Sequence, residues 1–283
     1  MSATIEVNGA TVAYTAAGTG EPVVLLHSSA SSGAQWRALG EQLDDRFLVL
    51  APDLYGYGGT DPWPGRGPLT LADEAALVAA VVAGRAGLFH LVGHSYGGAV
   101  ALRIAVDHPE RLRSLTLIEP VAFHVLRNRG AADRALFAEV CGIADAVSAA
   151  ALSGDYAGGM ERFVDYWNGA GTWARIRPES RAAMCRSATK VPLDFWATTT
   201  EQTSLDAYRR VRVPTLVLCG DRSPAPTRRI AGLLAARLPA ARLDVVAGAG
   251  HMLPLTHRDA VNAAIAGHLA RAGGDATRRR RAA

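Results

Sequence analysis

Residues 91–100 read LVGHSYGGAV, and what stands between their two apolar ends decides the fold. An apolar run beginning at Leu88 meets Gly93-His94-Ser95-Tyr96-Gly97-Gly98 and leaves into small, helix-favouring residues. A serine hydroxyl can satisfy itself with a hydrogen bond in any loop; one held between glycines at a strand-to-helix seam is placed to attack. The pattern G-x-S-x-G in that setting is a nucleophile elbow. The turn is so sharp that the serine takes a strained backbone angle, and a side chain at 93 or 97 would collide. The hydroxyl then stands exposed at a helix N-terminus, where unpaired N–H groups and the helix dipole favour developing negative charge. In a chain with 29 glycines the pentapeptide alone says little. Between LFHLV and GGAVALRIA it outweighs the bland reading of a Gly-rich turn.

Around this seam, short β-rich runs alternate with helical patterns, the signature of a mainly parallel sheet wrapped by helices. TIEVNG and TVAYTAAG form an expected antiparallel pair turned at Asn8-Gly9, followed by PVVLLHSS, RFLVLAPDL, LFHLVGHS, RSLTLIEP, PTLVLCGD and ARLDVVAGAG. The central runs are apolar on both faces, as buried parallel strands require. AALVAAVVAGRA, GAVALRIAVDH, RRIAGLLAARL and AVNAAIAGHLARA are the crossover helices, the last with Thr256 and Asp259 as an expected capping pair. Residues 121–210 break the rhythm: they hold helical patterns and no strand, and carry Trp167, Trp173 and Trp196. The domain reading is a core of 1–120 and 211–273, a helical insertion of 121–210, and a disordered basic tail of 274–283.

A serine needs a base to attack at neutral pH. Of eight histidines, His251 stands out. It follows the last strand in VVAGAGHMLPLTH, a Gly-rich loop at the strand's C-terminal end, where open α/β sheets collect their ligands. His94 reads as structural within the elbow, His90 as a strand residue, His108 and His268 as helix residues, His257 as a surface or capping residue. His124, in the insertion, could only meet substrate. A metal site at His251 and His257 is excluded because Pro254 denies them a shared helix face and no carboxylate stands at ligand spacing.

The order Ser95, acid, His251, the eight-strand rhythm and the elbow together resemble the α/β-hydrolase superfamily from Val23 to about Ala270. The resemblance implies an α/β-hydrolase fold, an eight-stranded mostly parallel sheet flanked by helices, with a helical cap inserted after the sixth strand. LLHSSASSGAQW, residues 25–36, resembles the family's oxyanion loop, which implies backbone N–H donors at Ser29 and at Tyr96 behind the nucleophile. The family usually has His-Gly where this chain has His27-Ser28, leaving Ser28 as the alternative donor to Ser29. PDLYGYGGTDP, residues 52–62, resembles the Gly-rich loop after the fourth strand, with Asp53 bonding backbone.

The acid is where the chain departs from the family. Many members place an aspartate at the end of a G-x-x-D pattern after the seventh strand. Here LCGDRSPAPTRR puts Ser223 at that position. A serine cannot stabilise the imidazolium that forms when His251 takes a proton. Asp221 is one substitute. Glu119, which ends the sixth strand in SLTLIEP beside Ser95 in the family's strand order, is the better one, since some members carry their acid there.

The resemblance then implies acyl transfer. Dehalogenases and epoxide hydrolases of this superfamily carry an aspartate at the elbow, so Ser95 points instead to a serine esterase-like hydrolase with a Ser95–His251–Glu119 triad. Its substrate would be an ester, lactone or related acyl compound, small and apolar, cleaved through an acyl-enzyme. Carbon–carbon bond hydrolases of aromatic ring degradation and haloperoxidase-like esterases resemble it too, and a non-hydrolytic ligand-binding or cyclase-like member is the reading from another class. Phe123, Trp167, Trp173, Phe195 and Trp196 are candidates for an apolar pocket, or for the core of the cap.

Composition agrees with a catalyst of small molecules. The 283 residues are 49% hydrophobic, ample for a large core. The formal charge of +4 owes four positive charges to Arg278–Arg281; without them the body carries 26 of each sign. No basic stripe interleaved with aromatics suggests nucleic acid. Three cysteines without a C-x-x-C pair suggest neither a disulfide frame nor zinc. No apolar stretch reads as long enough for a bilayer span, and no leader is expected. The expectation is a soluble, cytoplasmic protein acting on a small molecule, without cofactor, nucleic acid or membrane; oligomeric state is unknown from sequence.

Overall fold

The structure is a computed structural model that describes residues 1–85 and 87–281, residues 274–281 in backbone only; of the basic tail expected at 274–283, the side chains and residues 282–283 lie outside what is described. Eight strands form one sheet: β1 (Ser2–Val7), β2 (Ala10–Ala17), β3 (Glu21–Leu26), β4 (Phe47–Pro52), β5 (Phe89–His94), β6 (Leu112–Ile118), β7 (Thr215–Gly220) and β8 (Ala241–Val246). Their order is β1-β2-β4-β3-β5-β6-β7-β8. The pairs β1–β2 and β2–β4 are antiparallel, and the remaining pairs are parallel. Asn8 and Gly9 both take positive φ, 52° and 86°, the geometry a two-residue hairpin turn demands. All six residues of β5 and of β7 are buried, which is why those runs are apolar without alternation.

Helices cover both faces. On one face α2 (Leu71–Val81), α3 (Tyr96–Asp107) and α10 (Ala225–Arg237) pack through Leu77, Val81, Val100, Ile230 and Leu234. On the other, α1 (Arg37–Leu43) and α12 (Arg258–Arg281) pack through Leu39, Leu43, Val261, Ile265 and Leu269. The short α11 (Leu253–Thr256) precedes α12. The expected Thr256–Asp259 capping pair is not formed: the Thr256 hydroxyl donates instead to the Met252 carbonyl, 3.2 Å away, because it ends α11.

Residues 119–214, all described, hold helices and loops but no strand. They are α4 (His124–Arg127), α5 (Ala131–Ser153), α6 (Tyr156–Asn168), α7 (Thr172–Arg175), α8 (Pro178–Cys185) and α9 (Val191–Thr200). Contrary to the expectation from sequence, α5 is long and apolar enough to cross a bilayer by length and composition alone, with 23 residues and a mean hydropathy of 1.7 over an 18-residue stretch. In the structure it packs against α6, α9 and α10, and its Asp133 is ion-paired with Arg129 and Arg229.

Parallel strands end at one edge. β5 ends next to Ser95, β6 next to Glu119, and the loop after β8 carries His251, so the topology delivers three distant residues to one place.

Candidate active site

Ser95 links β5 to α3 with φ 55° and ψ −116°, a conformation that a non-glycine residue adopts only under strain. The flanking glycines permit it. A Cβ on Gly93 would stand 2.3 Å from the Gly97 carbonyl oxygen, and one on Gly97 would stand 2.5 Å from that of His27. Helix α3 can therefore start directly against β3. Of the four non-glycine residues with positive φ among the described residues, three (Ala30, Ser95 and Glu119) surround this site.

His251 faces Ser95. Its Nε2 lies 2.9 Å from Ser95 Oγ, and its Nδ1 lies 3.0 Å from Glu119 Oε2. A carboxylate can only accept, so Nδ1 carries the hydrogen and Nε2 is left to accept from the serine hydroxyl. All three side chains are buried. Burial alone would raise the Glu119 pKa, but hydrogen bonding and the charge of His251, the nearby Ser223 hydroxyl and the Gly220 N–H (2.7 Å from Oε1) bring it down to about 2. Glu119 is thus an anion aimed at the imidazole. Asp221, the substitute weighed beside it, accepts from the Gly248 N–H at 2.8 Å and braces the turn after β8 instead.

The loop after β3 is held by its side chains. His27 Nε2 accepts from the Leu54 N–H at 3.0 Å, and Asp53 accepts from the N–H groups of Gly33 and Gly59. Gln35 Oε1 takes both the N–H and the hydroxyl of Ser28, at 3.2 and 3.0 Å. The backbone N–H groups of Ser29 and Tyr96 find no acceptor among the described residues, and both residues border the space beside Ser95. Gln35 also donates to His94 Nδ1 (3.1 Å), while His94 Nε2 donates to the His251 carbonyl (2.9 Å). Burial, and then the neighbouring His251 charge, push the His94 pKa down to about 3, so the ring stays neutral as it bridges the two loops.

The remaining histidines stand apart. His90 pairs with Ser114, His268 with the Leu115 carbonyl, and His108 is exposed. His257 contacts Thr256. His124 does not meet the site as the sequence suggested: its Nε2 bonds the Tyr208 hydroxyl at 3.0 Å, a buried contact between the two ends of the insertion. Of the five aromatic candidates, Phe123, Trp167 and Phe195 line space at Ser95; Trp173 is buried elsewhere and Trp196 is half exposed.

A family model for the alpha/beta hydrolase family matches residues 23–264. The chain belongs to that family. Among curated proteins, it is 35% identical over 150 residues to a pimeloyl-[acyl-carrier protein] methyl ester esterase of Aeromonas hydrophila, covering 52% of this chain and 54% of that one. It is 36% identical over 117 residues to a 2-hydroxy-6-oxo-2,4-heptadienoate hydrolase of Pseudomonas putida, covering 37% and 39%. The chain thus spans about half or less of the curated relatives it matches. A solved hydrolase from Pseudomonas aeruginosa superposes with a TM-score of 0.74 at 25% identity, covering 95% of this chain and 98% of that one.

Within this hydrolase fold lies a buried ionic cluster that motif reading missed. Lys190 bonds both Asp194, one turn ahead at the start of α9, and Glu74 of α2 (3.1 Å). Asp194 Oδ2 accepts from Ser29 Oγ and Tyr57 Oη, each at 2.5 Å, and Glu74 accepts from Tyr96 Oη at 3.2 Å. The ammonium also sits 4.8 Å and 4.5 Å from the ring centroids of Tyr57 and Tyr96. One signal was available in the sequence: Lys190 is the only lysine in a chain that otherwise uses arginine for its cations. A compact ammonium between two carboxylates is a different requirement from a surface charge.

Proposed function

We propose that this protein is a serine hydrolase that cleaves a carboxylic ester, lactone or related acyl bond through an acyl-enzyme. The observation that carries the reading is the continuous hydrogen-bonded line from Ser95 Oγ through His251 to Glu119, at 2.9 and 3.0 Å. Ser95 attacks the carbonyl carbon while its proton passes to His251 Nε2. Glu119, ionised at neutral pH, stabilises the imidazolium and keeps its orientation. The N–H groups of Ser29 and Tyr96 receive the negative oxygen of the tetrahedral intermediate. His251 then gives its proton to the leaving group, and the same steps with water release the acid. Every residue in this sequence belongs to the chain itself.

The likeness to a carbon–carbon bond hydrolase favours a second reading, in which the leaving group is a carbanion rather than an alkoxide. A fluorophosphonate probe separates either from a pocket that only binds. Labelling of Ser95, lost in Ser95→Ala, is expected, and a burst of p-nitrophenol from short acyl esters marks the acyl-enzyme. An unlabelled protein overturns the hydrolase reading.

A further inference from the structure

One buried cluster holds both residues that offer backbone N–H groups beside Ser95. Asp194 Oδ2 accepts from the Ser29 hydroxyl at 2.5 Å, and Glu74 Oε1 accepts from the Tyr96 hydroxyl at 3.2 Å. Lys190 bonds both carboxylates, so the two anchors form one unit. Lys190, Asp194, Glu74 and Tyr96 are all buried. Asp194 belongs to α9 of the insertion, whereas Ser29, Glu74 and Tyr96 belong to the core. The seating of the insertion and the placement of the two donors are therefore linked.

The anchor matters most at Ser29. The next residue, Ala30, has a φ of 54°, a strained value for alanine that persists only where the surroundings over-determine it. Gln35 holds Ser28 on one side of Ser29, and Asp194 holds Ser29 itself. With its hydroxyl committed to Asp194, Ser29 has its backbone N–H left as a donor, with no acceptor among the described residues.

Resting on the acyl-transfer reading, we infer that Asp194 is a positioning residue: acting through the Ser29 hydroxyl, with Lys190 and Glu74 as its ties to the core, it keeps the Ser29 N–H aimed at the oxyanion.

Two substitutions cut this link from opposite ends. In Asp194→Asn the amide has one acceptor oxygen, which the Lys190 ammonium takes, so its NH2 faces the Ser29 and Tyr57 hydroxyls and can accept from neither. Lys190 keeps Glu74 as its counter-charge, which spares the fold an unpaired buried ion. Ser29→Ala removes the same hydrogen bond and leaves the backbone N–H in the chain.

Outright loss of an oxyanion donor costs about 10²–10³ in kcat, and a misaimed donor costs part of that. With p-nitrophenyl acetate, each variant is expected to lower kcat by about 10-fold and to leave KM within about 2-fold, because the contact is made only in the transition state. The double variant should lose little more than either single one, since both break one link. The ketone 1,1,1-trifluoroheptan-2-one reads the oxyanion directly: Ser95 Oγ bonds its carbonyl carbon, the C=O π pair becomes the oxyanion, and the serine proton passes to His251. Its inhibition constant should rise by about 10-fold in each single variant, in step with the loss of kcat. Losses that multiply in the double variant, a kcat within about 2-fold of the wild type in either single one, or a lowered kcat with unchanged inhibition by the ketone overturns the inference and leaves the serine hydrolase reading intact. If the wild type turns over no ester and the fluorophosphonate leaves Ser95 unlabelled, both fall together.

Discussion

Trp167 lies face to face with His251, the ring centroids 4.2 Å apart and the planes inclined by 26°. The indole comes from the insertion and the imidazole from the loop after β8, so the stack joins the two layers over the reacting atoms. In the proposed mechanism His251 becomes a cation above a π face when it takes the serine proton, an attraction of about 0.5–2 kcal/mol. Trp167→Leu should therefore lower kcat for p-nitrophenyl acetate by about 10-fold, while Trp167→Phe retains most of it. Equal losses in the two variants would assign Trp167 to packing alone.

The acid can be identified by kinetics. Glu119→Gln keeps the shape but removes the charge facing His251 Nδ1, and should cut kcat by about 10³–10⁴. Asp221→Asn only weakens the brace on Gly248, so kcat should fall less than about 3-fold, with any loss showing in the melting temperature. The reverse pattern would reassign the role.

Acid should destabilise the fold from pH 6.5 downward. Burial holds the pKa of His90 and His94 near 3 and that of His124 near 4, below the ordinary 6.5. Between those limits the unfolded chain binds protons that the folded one refuses, so stability declines as pH falls by about 1.4 kcal/mol per pH unit for each such group. Glu119 adds to the loss from 4.5 to about 2, since its folded carboxyl stays ionised while the unfolded one protonates. Urea unfolding at pH 7.5, 6 and 5 should give falling midpoints; a flat profile would mean that these histidines titrate normally.

Lys190→Met should cost about 3–5 kcal/mol, because Asp194 and Glu74 are left buried without a counter-charge. Lys190→Arg restores charge but not fit, and should recover only part of the urea midpoint. Since Lys190 is the sole lysine and is buried, acetylation of the native protein should modify the N-terminus and spare it until the chain unfolds.

The eight strands, the turn at Ser95 and the loop that carries His251 were legible in the sequence because each depends on local pattern. A run of apolar residues closed by Gly93 and Gly97 states its own turn, and a histidine in a Gly-rich loop after the last strand has one edge to reach. What lay beyond reading was every contact between residues far apart in the chain. Gln35 engages Ser28 and His94 only because β3 and β5 are neighbours, and nothing in its local sequence says so. The placement of Glu119 rather than Asp221 against His251 was decided by where β6 ends and by the turn that occupies Asp221. The Lys190 cluster is likewise a tertiary fact: α9 brings Asp194 to Ser29 across 165 residues of sequence. Local chemistry determined which groups can react; the packing of one helix against a sheet edge decided what they can reach.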